Sequence, residues 1–268
     1  MKLVYSVLLF FFLSGRIVFP QLLPGAKNAS LGFSDLTGYN DKFSLFSNPA
    51  SIATYKNNHA AVFFSPSPFG LKELVTSSAT INYHSNYGNI AVAATRYGFD
   101  LYNETKFLGA YAISLIPDLH SGLALEIRKL TIANYGNTSA FNMIFGLTYF
   151  PYKNISIACV LNNPFGFSYK NTSGQIPTTI SLGFGMLFGD LLKFSASLED
   201  ETDRDLSFAY GMELFLHEYI TIRAGNNQGF NMLTFGLGIN YLYLGVNYAV
   251  LLHDELGYTH QAEIYVEF

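Results

Sequence analysis

The sequence predicts an all-β fold: a transmembrane antiparallel β-barrel of about fourteen strands, with a short N-terminal plug segment that contains a helix. Three observations lead there. Bulky apolar residues alternate in steps of two with small uncharged ones from about residue 58 to the end. Charge is scarce, at 13% of residues where soluble domains carry about 25%, although half of the chain is hydrophobic. The connections between alternating segments are tight at every second position and mostly longer in between, as in single-chain outer-membrane barrels. After the first few residues no apolar run approaches the roughly 20 residues of a membrane helix.

The alternation is cleanest in 231–240. Leu233, Phe235, Leu237 and Ile239 share one face, and Thr234, Gly236, Gly238 and Asn240 share the other. Residues 180–186 and 206–214 repeat the pattern, and Ala262, Ile264, Val266 and Phe268 continue it at the C-terminus. A soluble sandwich would also alternate, but its outward face would be charged. Here the small face is Gly, Ser, Thr, Ala and Asn, which suits a crowded lumen, while the bulky face suits hydrocarbon. Strands are expected at 58–66, 73–85, 88–98, 104–116, 119–132, 138–150, 152–163, 175–188, 190–199, 205–216, 218–226, 230–240, 241–251 and 257–268. With no Trp, interfacial girdles fall to the 19 Tyr and 25 Phe residues.

The N-terminus reads as a secretory signal peptide over 1–20: Lys2, an apolar run from Leu3 to Leu13, then Ser14-Gly15, with cleavage between 15 and 22. Residues 21–57 form the plug segment and 58–268 the barrel. Asn48-Pro49-Ala50, followed by Ser51-Ile52-Ala53, reads as a cap and first turn of a short helix.

The net charge of −4 argues against a nucleic-acid partner. The lone Cys159 alternates with Ile157 and Leu161 and belongs to the lipid face as an inert small hydrophobe. No metal spacing and no catalytic constellation stands out, so neither cofactor nor enzyme is expected. The loop Glu199 to Asp205 gathers oxygen ligands but reads better as a solvated acidic loop than as a calcium site.

Charges on the lipid face would be costly, so Glu126, Arg128, Glu213 and Arg223 are assigned to the lumen. Glu126 and Arg128 lie two apart on one strand. Glu213 and Arg223 lie on the two arms of a hairpin that turns near Glu218, and face each other if that turn takes an odd number of residues. They read more readily as static ion pairs than as a gate. In the longest loop, Phe165, Phe167 and Tyr169 are expected at the external mouth, as ligand collectors or as a lid.

The stretch Gly25-Ala26-Lys27-Asn28-Ala29-Ser30-Leu31-Gly32-Phe33, the Asn48-Pro49-Ala50 turn and the ending Leu256-Gly257-Tyr258-Thr259-His260-Gln261 resemble the PorV/PorQ family of outer-membrane proteins. That family looks related to the FadL-type fatty-acid transporters, fourteen-stranded barrels with an N-terminal plug. Short turns on the periplasmic side and longer loops outside put both termini in the periplasm, and the expected location is the outer membrane, in contact with membrane lipid and lipopolysaccharide. The resemblance implies binding or passage of a small hydrophobic ligand. Two alternatives stand beside it: an accessory barrel of a type IX secretion system that docks exported proteins, and a structural barrel without a transport role.

Overall fold

The computed structural model describes residues 22–170 and 176–268. The expected signal peptide lies outside the described residues, as does residue 175, the first expected of the eighth strand. Fourteen antiparallel strands form the wall: β1 (His59–Ser65), β2 (Thr76–Tyr83), β3 (Asn89–Phe99), β4 (Tyr102–Ile116), β5 (Leu119–Ile132), β6 (Gly136–Tyr152), β7 (Ile155–Asn162), β8 (Thr179–Phe188), β9 (Leu192–Glu201), β10 (Ser207–His217), β11 (Ile220–Asn227), β12 (Met232–Tyr241), β13 (Leu244–His253) and β14 (Gly257–Glu267). Each pairs with its sequence neighbours, and β1 pairs with β14 to close the barrel. Closure gives every strand a partner on both sides, although β6 runs on past the end of β7.

Step-two alternation sets the two faces. Along β12, Leu233, Phe235, Leu237 and Ile239 are each 41–48% exposed on the outside, while Thr234 is fully buried within. The same holds around the wall, from Val62 and Phe64 on β1 to Ile264 on β14. Cys159 lies outward, opposite Leu147 on β6 and Leu182 on β8.

One end of the barrel carries both ends of the strand sequence and the connections β2–β3, β4–β5, β6–β7, β8–β9, β10–β11 and β12–β13. It is called the turn end here, and the opposite end the loop end. The expected contrast in connection length is carried by two connections, 66–75 and 163–178. The expected loop from Gly98 to Asn103 is instead a tight connection, because β3 and β4 run on until only residues 100 and 101 remain between them. β4, β5 and β6 are 15, 14 and 17 residues long, beyond the 9–11 that a tilted membrane strand needs, so the barrel stands taller on this side.

The lumen is filled by the segment before β1. It forms the short helix α1 (Ala26–Ser30), a 3-10 turn at Ser44–Phe46 and a second at Pro49–Thr54. Its side chains are almost all buried, including polar Asn28, Ser30, Ser34, Asp35 and Asn48. The plug lies so close to the wall that its backbone sets residue size there. A Cβ added at Gly225 would stand 2.2 Å from the carbonyl carbon of Leu31, and one at Gly146 would stand 2.1 Å from Asn48 Oδ1. Small lumen residues are therefore the wall's answer to a plug, as the composition of that face suggested.

This makes a direct test. Gly225→Ala sets a methyl group against backbone that cannot yield, and should lower unfolding stability by about 1–3 kcal/mol. Gly109→Ala on the outer face, where a Cβ meets nothing within 4 Å, should be neutral or slightly stabilising. Urea midpoints of the two variants in detergent check the contrast.

Candidate functional site

Asn48 anchors the plug. Its side-chain oxygen accepts the Ala50 N–H at 2.9 Å, which caps the Pro49–Thr54 turn. Its side-chain nitrogen donates to the Leu36 carbonyl at 2.8 Å and to Thr148 Oγ1 on β6 at 2.9 Å. One buried amide thus joins the turn, the preceding plug loop and the wall. Pro49 and Ala50 lie against Gly122 of β5, where a Cβ would come within 2.6 Å of three of their backbone atoms. Asn89 on β3 holds the other end of this turn, donating to the carbonyls of Ile52 at 2.5 Å and Tyr55 at 2.9 Å.

α1 sits on the opposite side of the lumen and carries the ionic contacts. Glu213 and Arg223 are direct cross-strand partners, both buried, with Arg223 Nε donating to Glu213 Oε1 at 2.7 Å. The same oxygen meets Lys27 of α1 at 3.3 Å. Arg223 continues to Asn247 Oδ1 at 2.9 Å, and Asn247 donates to Glu263 at 2.8 Å. Glu263 also accepts the Lys27 backbone N–H at 3.3 Å, so the chain of contacts closes on the plug. A second pair, Lys193 of β9 with Asp35 of the plug, lies at 2.5 Å. The Tyr39 ring is flanked by both ammonium groups, Lys193 at 5.0 Å and Lys27 at 5.8 Å.

These positions perturb the plug's titration. Burial lowers the Lys27 pKa, only partly offset by Glu213. Asp35 is also buried, which alone would raise it, but the Lys193 charge and hydrogen bond bring it below the ordinary value. Asp41 is pushed up to about 7, first by burial and then by the charge of Glu263. Its side-chain oxygen accepts the Phe43 N–H at 3.0 Å, a contact that survives protonation.

Glu126 and Arg128 both face the lumen on β5 and form an ion pair with each other. They lie towards the loop end with Glu104 and Lys106 of β4, 3.8 Å apart. Tyr169 reaches in from the β7–β8 connection and donates to Glu104 Oε1 at 2.9 Å. Phe165 and Phe167 do not join it at the mouth, which corrects their expected placement. Phe167 packs edge-on against Phe141 with centroids 5.3 Å apart, and Phe165 lies 6.3 Å from Phe145. Phe141 and Phe145 point outward from β6. The loop-end part of β6, beyond Ile144, has no β7 residue opposite it, and the connection folds over that part from outside. Among the described residues no group of three His, Cys, Asp or Glu side chains is placed to hold a metal ion.

An apolar pocket lies inside the loop end, beneath the β1–β2 connection. Leu22, Phe63, Pro68, Phe69, Leu74 and Tyr97 line it, with Ser65, Thr76 and Gln261 at its polar edge. Its free space is about 10 Å³, room for one water at most. Phe69 closes it from a strained position: its φ of 56° is unusual for a bulky residue. Its N–H donates to Thr259 Oγ1 at 2.8 Å, and its ring meets His253 edge-on at 5.7 Å.

Three solved barrels are similar to this one. The "CymD monoaromatic hydrocarbon channel" aligns with a TM-score of 0.68 at 12% identity, over 94% of this chain and 99% of its own. The Pseudomonas putida toluene transporter TodX gives 0.67 at 12%, over 91% and 96%. A Pseudomonas aeruginosa FadL homologue gives 0.65 at 11%, over 91% and 98%. The chain shares their fold. No protein-family model and no curated protein matches the sequence.

Sequence reasoning missed the plug's side of both ionic contacts, Lys27 and Asp35, and missed the pocket. Lys27 and Asp35 stand in a segment without periodicity, so nothing local marked them as buried. The pocket residues come from the start of the plug, β1, the β1–β2 connection, β2, β3 and β14, and only closure of the barrel assembles them. The Ser67-Pro68-Phe69-Gly70 turn was the one local signal, since Phe in such a turn has no role in turning the chain.

Two tests follow from the anchors. Asn48→Ala removes three hydrogen bonds and should cost about 1–3 kcal/mol; Asn48→Asp should cost more, since a carboxylate then faces the Leu36 carbonyl. Melting temperatures of both against the parent check the order. For Asp41, the folded pKa near 7 lies above the ordinary carboxylate value. The folded state therefore binds the extra proton, and stability falls as pH rises from about 4 to about 7. Asp41→Asn, which keeps the oxygen that accepts the Phe43 N–H, should flatten melting temperature against pH across that window and raise it above pH 7.

Proposed function

We propose that this barrel sits in a bacterial outer membrane, with its loop end outward and both termini in the periplasm, and passes small hydrophobic molecules. The observation that carries the reading is the apolar pocket at the loop end of the plugged lumen. A polar solute would gain nothing from Phe63, Phe69, Leu74 and Tyr97. An apolar one would exchange water for those side chains at about 25 cal/mol per Å² buried. Among proteins of the same fold, TodX is described as a toluene transporter and CymD as a monoaromatic hydrocarbon channel. A flat aromatic or a short acyl chain is the class of solute this reading favours.

The pocket is closed in this state, so entry needs movement. Phe69 is the residue placed to move, because its backbone is strained and a single hydrogen bond to Thr259 holds its N–H. Leu22, the first described residue of the plug, also lines the pocket. An occupant would press on it, which links binding at the loop end to the plug.

Uptake of labelled toluene by cells that display the barrel, against cells with the empty vector, tests it. Phe69→Ala should raise uptake several-fold by opening the pocket. Leu74→Arg, which puts a charge among apolar side chains, should reduce it to the vector level. Glycerol uptake should respond to neither change. Equal toluene uptake with and without the barrel would refute the proposal.

A further inference from the structure

The outer wall gathers its strand-borne cations in one place. Among the described residues, the Lys and Arg side chains that point outward from a strand are Arg96 on β3 and Lys129 on β5. They belong to one cross-strand row. Ser77 pairs with Arg96, Arg96 with Thr105, Thr105 with Lys129, and Lys129 with Ser139. The next outward row towards the turn end is Ala94, Phe107, Ile127 and Phe141, wholly apolar. The next row towards the loop end is Gly98, Asn103, Thr131 and Asn137. The change from hydrocarbon to headgroup chemistry therefore falls on the row that holds the two cations.

Three further features surround this row. A groove of about 320 Å³ opens beside Arg96, lined also by Val75, Ser77, Gly98, Phe99 and, from the β3–β4 connection, Asp100. Lys170 is fixed next to Ser139: its N–H donates to the Ser139 carbonyl at 3.2 Å, and its own carbonyl accepts from Thr138 Oγ1 at 2.6 Å. Below, Phe165 and Phe167 add to Phe141 and Phe145 an aromatic ledge on the outside of the wall, with Phe165 64% exposed. Cations sit above and aromatic carbon below, on one arc of the barrel.

We infer that this arc binds the two-phosphate glycolipid of the outer leaflet, with one phosphate held near Arg96, the other near Lys129 and Lys170, and acyl chains on the aromatic ledge. Arg96 and Lys129 stand two strand spacings apart, roughly 9.6 Å. That separation fits two phosphates on one headgroup better than the single phosphate of a glycerophospholipid. Arginine suits the site as a fork for phosphate oxygens, and lysine as a point charge. The assignment rests on the orientation proposed above, with the loop end outward.

Native mass spectrometry of the detergent-solubilised barrel tests this. It would be titrated with bisphosphorylated lipid A, with the same lipid after phosphatase treatment, and with phosphatidylglycerol. The parent should hold lipid A, and R96Q/K129Q should hold it about tenfold more weakly. K153Q, at the turn end, should match the parent. The phosphatase-treated lipid and phosphatidylglycerol should bind the parent no better than lipid A binds the double variant. Equal lipid A binding by parent and double variant would overturn the site, as would phosphatidylglycerol binding as tightly as lipid A. All substituted residues are exposed, and unchanged heat-modified gel migration confirms that each variant folds. A parent barrel that holds lipid A yet passes no toluene keeps the lipid site and removes only the channel.

Discussion

A cylinder of eight strands can be filled by its own inward side chains, but one of fourteen cannot. That width is the constraint behind most of the interior. The chain meets it by folding residues 22–58 into the lumen, and the wall then adapts to the backbone inside it. Gly225 under Leu31 and Gly146 under Asn48 are small because main chain and amide occupy the space that a side chain would need. The plug in turn lacks a core of its own. α1 is five residues long and has no side-chain cap, so contact with β11 to β14 is what keeps it ordered.

Filling the lumen brings charge out of water, and the arrangement shows how the cost is contained. Two buried acids on the α1 side are each matched by a cation from the other partner, while Glu263 is met by the Asn247 amide and the Lys27 backbone N–H. Glu213 of the wall faces Lys27 of the plug, and Asp35 of the plug faces Lys193 of the wall. Plug and wall are therefore each incompletely neutralised alone. Such pairs are weak evidence of net stability, because desolvation offsets attraction, but removing one partner leaves a buried charge and is severe. They fix where α1 sits more than how tightly the whole holds. Asp41 of the plug is another buried acid with no ion-pair partner among the contacts described. Its raised pKa is the consequence.

The wall was legible in the sequence to within a few residues, because step-two alternation depends only on which side of the sheet meets apolar surroundings. The expected strand at 119–132 coincides with β5, and 257–268 with β14 to within one residue. Glu213 and Arg223 stand opposite each other because a bulge between Phe215 and His217 shifts the register by one after a two-residue turn, which meets the odd-number condition set from the sequence. The loops were less legible. Phe165 and Phe167 were expected at the mouth because aromatics in a long external loop suggest a ligand. What places them outside is that β7 falls short of the loop end of β6, a length mismatch that no local pattern announces. The plug was recognised from Asn48-Pro49-Ala50, but its partners across the barrel are more than a hundred residues distant in several cases, such as Ser34 with Ser195.

The seam between β1 and β14 joins His59 to Glu267 across about two hundred residues. Every other ladder in the wall links neighbours in the chain and can zip locally, whereas this one must wait for the other thirteen strands. Loop-closure entropy makes such a contact slow to form, and until it forms two bare strand edges are free to pair with other polypeptides. The seam is thus the kinetic bottleneck of assembly. The plug has to be laid against the curling sheet before the last ladder traps it, so the order of folding is as constrained as the final structure.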